Sequence, residues 1–316
     1  MERILVIGCA GQIGSELTLE LRKMYGDSNV VASDIRKCCG ILAEGGPFEI
    51  LNALEADKVA ETIRKYGITQ VYHLAAILSG NAEKNPLPSW DINMKSLLDL
   101  LEIAKELKLK RVFWPSSIAV FGPSTPQKNT PQKSIMDPNT VYGISKLAGE
   151  RWVHYYRNKF GVDTRSLRYP GLISYKTEAG GGTTDYAVEI YYEAIKHKKY
   201  ECFLEADTYL PMMFMPDAIK ATIDLMNVDE SKLSVHDSYN VGGMSFCPDD
   251  LFKAIKKHIP EFEISYKPDF RQAIANSWPQ SIDDSVARHD WNLSDTYNVE
   301  SMTKVMLDEI GKKFKK

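Results

Sequence analysis

Short apolar runs alternate along the first half of the chain with longer stretches whose apolar positions recur every three or four residues. The first pattern suits buried strands and the second suits helices with one covered face. Arg3–Ile7 predicts a strand and Ser15–Tyr25 a helix. Asn29–Ser33 and Phe48–Leu51 predict two more strands, with a helix next at Ala56–Tyr66. Gln70–Leu74 reads as a strand, Trp90–Leu107 as a long helix and Arg111–Trp114 as a strand. Asn139–Lys159 reads as a second long helix and Asp163–Arg168 as the sixth strand. Strands alternating with helices predict an α/β fold, a doubly wound parallel sheet covered on both faces.

After Pro170 the pattern changes. Gly180, Gly181 and Gly182 interrupt the chain, Thr184–Lys196 is helical by spacing, and Pro211 and Pro216 punctuate the next stretch. Asp217–Met226 predicts a helix and Ser238–Val241 a strand. The remainder holds short elements rich in aromatics. It predicts a smaller C-terminal lobe that closes over the carboxyl ends of the sheet strands. There are no internal repeats or low-complexity segments.

Composition narrows the classes of function. A chain of 316 residues has room for one large α/β unit or two lobes. Its net charge of −3 argues against a nucleic-acid partner or an anionic membrane surface. Lys312, Lys313, Lys315 and Lys316 read as a solvated helix end, where cations suit the dipole. The five cysteines have neither zinc-site nor disulfide-framework spacing, and the six histidines are scattered. No metal is therefore expected, and a reducing cytoplasm is the expected compartment. No apolar run approaches the ~20 residues that span a bilayer. The first strand begins at once, so no signal or transit peptide is expected.

The first strand ends in Gly8-Cys9-Ala10-Gly11-Gln12-Ile13-Gly14, and a helix comes next. Glycines at this spacing let the backbone turn tightly, approach a pyrophosphate and pack the helix close to the strand. The helix N-terminus then offers N–H groups and a positive dipole end to the phosphates. Strand, glycine loop and helix together predict a Rossmann-like dinucleotide site. Asp34 closes the second strand, twenty residues after Gly14. An acid there accepts hydrogen bonds from ribose hydroxyls and repels a 2′-phosphate, which favours NAD over NADP. Ile35 is next in the chain, and Arg36 is close enough to oppose that preference. Asn52 and Ala53 come after the third strand, where the adenine should lie. The expected division is residues 1–170 plus about 211–243 for the dinucleotide, and about 171–210 with 244–316 for the substrate. Cys9 in the loop reads either as a small packed residue or as a redox-sensitive thiol.

Tyr142-Gly-Ile-Ser-Lys146 opens the second long helix, and the i, i+4 spacing puts both side chains on one face. A phenol with pKa ~10 is a poor base at neutral pH. A lysine ammonium ~4 Å away, at an effective dielectric of ~20, favours the phenolate by about 4 kcal/mol, or about three pKa units. That arrangement suits removal of an alcohol proton. Ser117, after the fifth strand, can orient the reacting oxygen. Ser116 and Ser117 can equally cap a strand end.

These motifs resemble the extended short-chain dehydrogenase/reductases. Ser116-Ser117-Ile118-Ala119-Val120-Phe121-Gly122 matches that family's segment around its serine, with Phe121 where the family has Tyr. The resemblance implies that Leu74, Ala75 and Ala76, after His73, line the cofactor. It implies that Asn93 supports the active-site lysine, and that Tyr169, Pro170, Gly171 and Leu172 lie beside the nicotinamide. The segments Gly180–Tyr191, Leu210–Ala218 and Pro268–Pro279 further resemble the short-chain, metal-independent type of L-threonine 3-dehydrogenase. The implied reaction oxidises L-threonine with NAD to 2-amino-3-oxobutyrate, on the way to glycine or aminoacetone. Tyr142 is then the base, Ser117 orients the hydroxyl, and Lys146 lowers the tyrosine pKa and holds the nicotinamide ribose. Ser79, Thr184 and Trp278 are implied substrate contacts, with Thr183 and Gly182 beside them. Trp278 reads alternatively as a core aromatic, Thr183 and Thr184 as helix caps, and Arg271 as either a carboxylate partner or half of a structural ion pair. The resemblance also implies a homodimer in which the two long helices of each subunit form a four-helix bundle. Two competing readings remain. One is a nucleotide-sugar epimerase or dehydratase with bound NAD, which needs a basic pocket for a diphosphate. The other is an NAD-binding sensor without catalysis, against which the Ser117, Tyr142 and Lys146 set argues.

Overall fold

The computed structural model describes residues 2–177 and 180–314. Lys315 and Lys316 therefore lie outside the described residues. The strands are β1 (Ile4–Ile7), β2 (Val30–Asp34), β3 (Phe48–Ile50), β4 (Gln70–His73), β5 (Arg111–Phe113), β6 (Ser116–Ser117) and β7 (Thr164–Arg165). They continue with β8 (Leu167–Tyr169), β9 (Gly171–Ile173), β10 (Lys199–Cys202), β11 (Leu210–Phe214), β12 (Tyr239–Asn240), β13 (Met244–Phe246) and β14 (Glu263–Tyr266). The main sheet has the order β3-β2-β1-β4-β5-β7, and every pairing in it is parallel. β1 and β2 are buried along their whole length, as strands covered on both faces must be. One face packs on Leu17, Leu21, Ala218 and Ile219, the other on Val59, Ile63, Leu97 and Val153. The doubly wound α/β architecture is therefore as the pattern predicts. Strand order reverses between β1 and β4, which opens a crevice at their carboxyl ends.

Two expected elements differ. The Asp163–Arg168 strand is split. β7 continues the main sheet, whereas β8 leaves it to pair with β6 and β12. Ser166 is the joint: its hydroxyl bonds the Ser116 N–H and the Ser238 hydroxyl, and its carbonyl takes the Tyr239 N–H. The Trp90–Leu107 helix is also interrupted. Pro86–Trp90 runs into a wider, π-type turn at Asp91–Lys95 before Ser96–Glu106 continues. Such turns cluster at functional sites, and this one carries Asn93. The Val141–Phe160 helix starts at Thr140, whose hydroxyl accepts the Gly143 N–H at 3.0 Å.

The second half builds a separate core from Tyr186, Tyr191, Phe203, Phe246, Phe262 and Met306. β9, β11 and β13 form a small sheet there, and β10 pairs with β14. Among the described residues, no helix is long and apolar enough to cross a membrane.

Candidate active site

A cleft opens at the carboxyl ends of β1 and β4. Gly8, Gly11, Gln12, Ile13, Gly14, Leu74 and Ala76 line it from the sheet side. Ser117, Tyr142, Lys146, Tyr169 and Leu172 stand beside them, and Ser79, Gly182, Thr183, Thr184 and Trp278 complete the wall. Asp34, Ile35, Asn52, Ala53, Ala75 and Asn93 are not part of that lining. Most of those six still bear on the site. The buried Asp34 carboxylate accepts the Ala10 N–H at 3.0 Å and the Arg36 N–H at 3.1 Å, so it pins the glycine loop from below. Asn52 accepts the Leu54 N–H and shapes the turn after β3. Ile35 is solvent-exposed.

The loop geometry explains its glycines. Gly8 has φ +89°, and a Cβ there would stand 2.8 Å from the Ala75 nitrogen. A Cβ on Gly14 would stand 2.2 Å from the Gly8 carbonyl oxygen. The cradle is thus backbone against backbone. The Gln12–Tyr25 helix begins there with no side-chain cap, and first-turn N–H groups have no partner inside a helix. Cys9 is fully buried with its sulfur 4.0 Å from that of Cys38. Burial pushes its thiol up, so it packs the loop as a neutral side chain.

Tyr142 and Lys146 share one face of the Val141–Phe160 helix, but their electrostatics differ from the expectation. Burial pushes the Tyr142 phenol up to about 12, and the hydrogen bond from Ser117 opposes it. Burial also pushes Lys146 down to about 7, against the pull of Glu150. The ammonium makes its hydrogen bond elsewhere than to the phenol. It donates to the Pro115 carbonyl at 2.5 Å and lies 4.5 Å from the Trp114 ring centre, against 5.5 Å for the Tyr142 ring. Desolvation of both groups therefore outweighs their mutual attraction in this state. Ser117 also caps a short turn by accepting the Ala119 N–H. Asn93 accepts the Ile77 N–H at 2.8 Å and donates to Ser145, so it ties the loop after β4 to the residue before Lys146.

The second-half wall is polar but weakly charged. Of the lining residues, Lys146 is the one cation and Asp185 the one carboxylate. Asp185 accepts the Gly181 and Gly182 N–H groups at 2.7 Å each and holds that loop in place. Its burial pushes the carboxyl up. Thr183 is 1% exposed, and its hydroxyl has no partner. The helix starts after Asp185, so neither threonine caps it with a side chain. Trp278 belongs to the second-half core and presents part of itself to the cleft, which unites its two readings. Arg271 pairs with Asp269 at 2.7 Å and stacks on Phe203, as the structural reading has it.

Residues 4–242 match the NAD dependent epimerase/dehydratase family. An uncharacterized epimerase/dehydratase of Staphylococcus aureus is 48% identical over 99% of this chain and 98% of its own length. The chain belongs to the NAD dependent epimerase/dehydratase family. Two solved structures are similar throughout. A GalE-like L-threonine dehydrogenase from Cupriavidus necator, in its holo form, is 53% identical with a TM-score of 0.95, covering 98% of this chain and 99% of that one. A monomeric L-threonine 3-dehydrogenase from a metagenome is 44% identical with a TM-score of 0.94, covering 98% and 99%.

As a member of this family the chain uses NAD. Its residues fit that dinucleotide, because Gly8, Gly11 and Gly14 line the cleft with bare backbone that is packed against backbone on its other side. Among the described residues no three His, Cys, Asp or Glu side chains gather as metal ligands. Sequence reasoning missed four contributors. Glu150 and Arg168 form a buried ion pair at 2.8 Å, and Ser116 donates to Glu150 at 2.6 Å rather than capping a strand. Asp185 clamps the Gly181–Gly182 turn, and Glu83 accepts the Val141 N–H where the Tyr142 helix starts. A carboxylate one turn beyond Lys146 was the available signal for Glu150.

Proposed function

We propose that the chain is a metal-independent L-threonine 3-dehydrogenase. The observation that carries this reading is the cleft wall where Ser79, Thr183, Thr184 and Trp278 stand with no arginine among the described lining residues. A nucleotide sugar needs cations for its diphosphate, and Lys146 alone, buried and turned to Pro115, does not supply them. A small zwitterion needs hydrogen-bonding groups once water is excluded, and the unpartnered Thr183 hydroxyl is such a group. Full-length similarity to two L-threonine dehydrogenase structures supports the same reading.

In this reading Ser117 orients the threonine hydroxyl and Tyr142 takes its proton as hydride departs from Cβ. NAD, where bound, would supply the acceptor for that hydride, and 2-amino-3-oxobutyrate would remain. Lys146 and Tyr142 are coupled, so the form with charged lysine and phenolate holds as many protons as the form with neutral lysine and phenol. Gly8, Gly11, Gln12, Ile13 and Gly14 would hold the pyrophosphate. Asp34 and Ile35 would meet the adenosine ribose, and Asn52 and Ala53 the adenine. Leu74, Ala75, Ala76, Asn93, Tyr169 and Leu172 would flank the nicotinamide half. Residues 1–170 with about 211–243 would serve as the dinucleotide domain, and about 171–210 with 244–316 as the substrate lobe. The site of action is the cytoplasm, where the five free cysteines would stay reduced.

Protein mixed with NAD and L-threonine should generate NADH absorbance. Silence with threonine, together with turnover of a UDP- or GDP-sugar, would support the epimerase alternative instead. Asp34→Ala should lower the kcat/KM preference for NAD over NADP by about tenfold, because the acid that repels a 2′-phosphate is gone while Arg36 stays. An unchanged ratio would remove Asp34 from the ribose site. Leu87, Trp90, Ile144, Trp152, Tyr155 and Phe160 are exposed on the two long helical stretches. We infer that they bury against the same face of a second copy as a four-helix bundle. Light scattering at micromolar concentration should give a dimer mass, and a monomer mass would contradict the bundle.

A further inference from the structure

We propose that Glu150 is a positioning residue for this reaction: it clamps the strand that carries Ser117 to the helix that carries Tyr142 and Lys146, and sets a buried anion one helical turn from the Lys146 amine. The proposal rests on reading Tyr142 and Lys146 as the catalytic pair. Glu150 is 0% exposed and lies one helical turn beyond Lys146. Both of its oxygens are used. Oε1 accepts the Ser116 hydroxyl at 2.6 Å and Arg168 Nε at 2.9 Å, and Oε2 accepts Arg168 Nη2 at 2.8 Å. Arg168 is itself fixed by the Gln132 carbonyl and Asn240 Oδ1, and its guanidinium faces the Phe121 ring.

Three site-bearing elements meet at this one carboxylate. Successive strand residues point to opposite faces. Ser116 turned toward Glu150 therefore sends Ser117 toward Tyr142. Ser116 also comes directly after Pro115, whose carbonyl holds the Lys146 ammonium. Arg168 precedes Tyr169, which lines the cleft. A buried ion pair gives little net stability, and its documented use is to fix one arrangement among several. Here the arrangement it fixes is the relative placement of serine, tyrosine and lysine.

The charge acts in the same place. The groups near Lys146 are Tyr142 and Glu150 on its own helix, Pro115 and Trp114 from the β5–β6 connection, and His73 at the end of β4, with the Arg168 cation behind Glu150 as its ion-pair partner. Burial pushes His73 down to about 3, so it is neutral and offers no counter-charge. Asp185 lines the cleft from the other half and is occupied with the Gly181 and Gly182 amides. Glu150 is the group that opposes the desolvation of Lys146.

Removing this anion lets Lys146 lose its proton at lower pH. The active form, charged lysine with phenolate, appears as the pair gives up its first proton. The acid limb of the pH–rate profile therefore moves down, and the plateau drops because less of the pair holds the active form. The test compares pH–kcat/KM profiles for L-threonine, with NAD binding followed by fluorescence. Glu150→Gln should move the acid limb down by at least about half a pH unit and lower the plateau by about tenfold, with NAD affinity kept. Glu150→Asp keeps the charge, so its limb should stay at the wild-type position even if its rate falls. Glu150→Met with Arg168→Met removes both buried charges together, protects the fold if the single variant fails, and should also show the lower limb. A plateau that falls with the limb unmoved in both charge-removing forms would make Glu150 merely structural and overturn the proposal. An unchanged rate would overturn it as well. A wild-type protein without threonine turnover would instead overturn the parent reading, so the two failures are distinct.

Discussion

Tyr142→Phe should lower kcat for L-threonine by about 10²–10⁴-fold, the range spanned by a positioned acid–base group, while NAD affinity stays within about threefold of wild type. The asymmetry comes from what the hydroxyl does. The tyrosine ring packs against the second-half core, and phenylalanine keeps that contact. The phenol's partner is Ser117, a half-buried residue with other bonds to make. Loss of one such hydrogen bond costs about 1 kcal/mol of stability, so the protein stays folded at assay temperature. The chemistry has no substitute base. Lys146 is turned to Pro115, and His73 is sealed behind Ser96 with Nε2 at 2.9 Å from its hydroxyl. Steady-state kinetics with an NAD titration check this, and a variant within a few-fold of the wild-type rate would take Tyr142 out of the mechanism.

Gly14→Ala should raise the NAD dissociation constant by at least about tenfold, equal to about 1.4 kcal/mol, and lower Tm by a few degrees. Propensity alone predicts the opposite, since alanine is better than glycine inside a helix by about 1 kcal/mol. Gly14 has no positive φ that would penalise alanine. The packing decides. The added carbon would sit 2.2 Å from the Gly8 carbonyl oxygen and 2.8 Å from Cys9 Cα, both backbone. Nothing there can rotate away, and forced overpacking costs about 1–3 kcal/mol. The helix must slide off the loop, and its first-turn N–H groups move with it. At saturating NAD, kcat should stay near wild type, because Tyr142 and Ser117 are not displaced. Titration calorimetry with NAD and a thermal melt measure both effects, and an unaltered affinity would contradict the close packing.

The two variants probe features that the sequence made legible to different degrees. The β1 strand and the glycine loop are local. An apolar run, a fixed glycine spacing and a helix start lie within one short segment, so the backbone cradle could be read directly. The Tyr142 and Lys146 spacing likewise placed both residues on one face. Spacing carries no information about burial, however, and desolvation reverses the expected pKa order by pushing Tyr142 up and Lys146 down. The Asp163–Arg168 run is continuous in polarity. Its division at Ser166 depends on β6 and β12, which are remote in sequence. The π-type turn at Asp91–Lys95 leaves the apolar period almost unchanged and became visible only through Asn93 and its bonds to Ile77. The Glu150 and Arg168 pair joins a helix to a strand eighteen residues on, and neither residue marks itself as buried by its type. The wall with Ser79, Thr183 and Trp278 was read from long matching segments rather than from physical rules, because these residues converge on one cleft from three separate parts of the chain.

The central proposed step, in which hydride leaves Cβ of L-threonine while Tyr142 takes the hydroxyl proton, can be followed atom by atom. The protein is incubated with NAD and L-threonine carrying deuterium at Cβ, and the reduced dinucleotide and the amino-acid product are analysed by mass spectrometry. Deuterium recovered in the reduced dinucleotide, a slower rate than with ordinary threonine, and a product that loses CO2 to aminoacetone are the predicted result. Deuterium retained in unreacted threonine with no reduced dinucleotide, whatever the protein does to a nucleotide sugar, would contradict it.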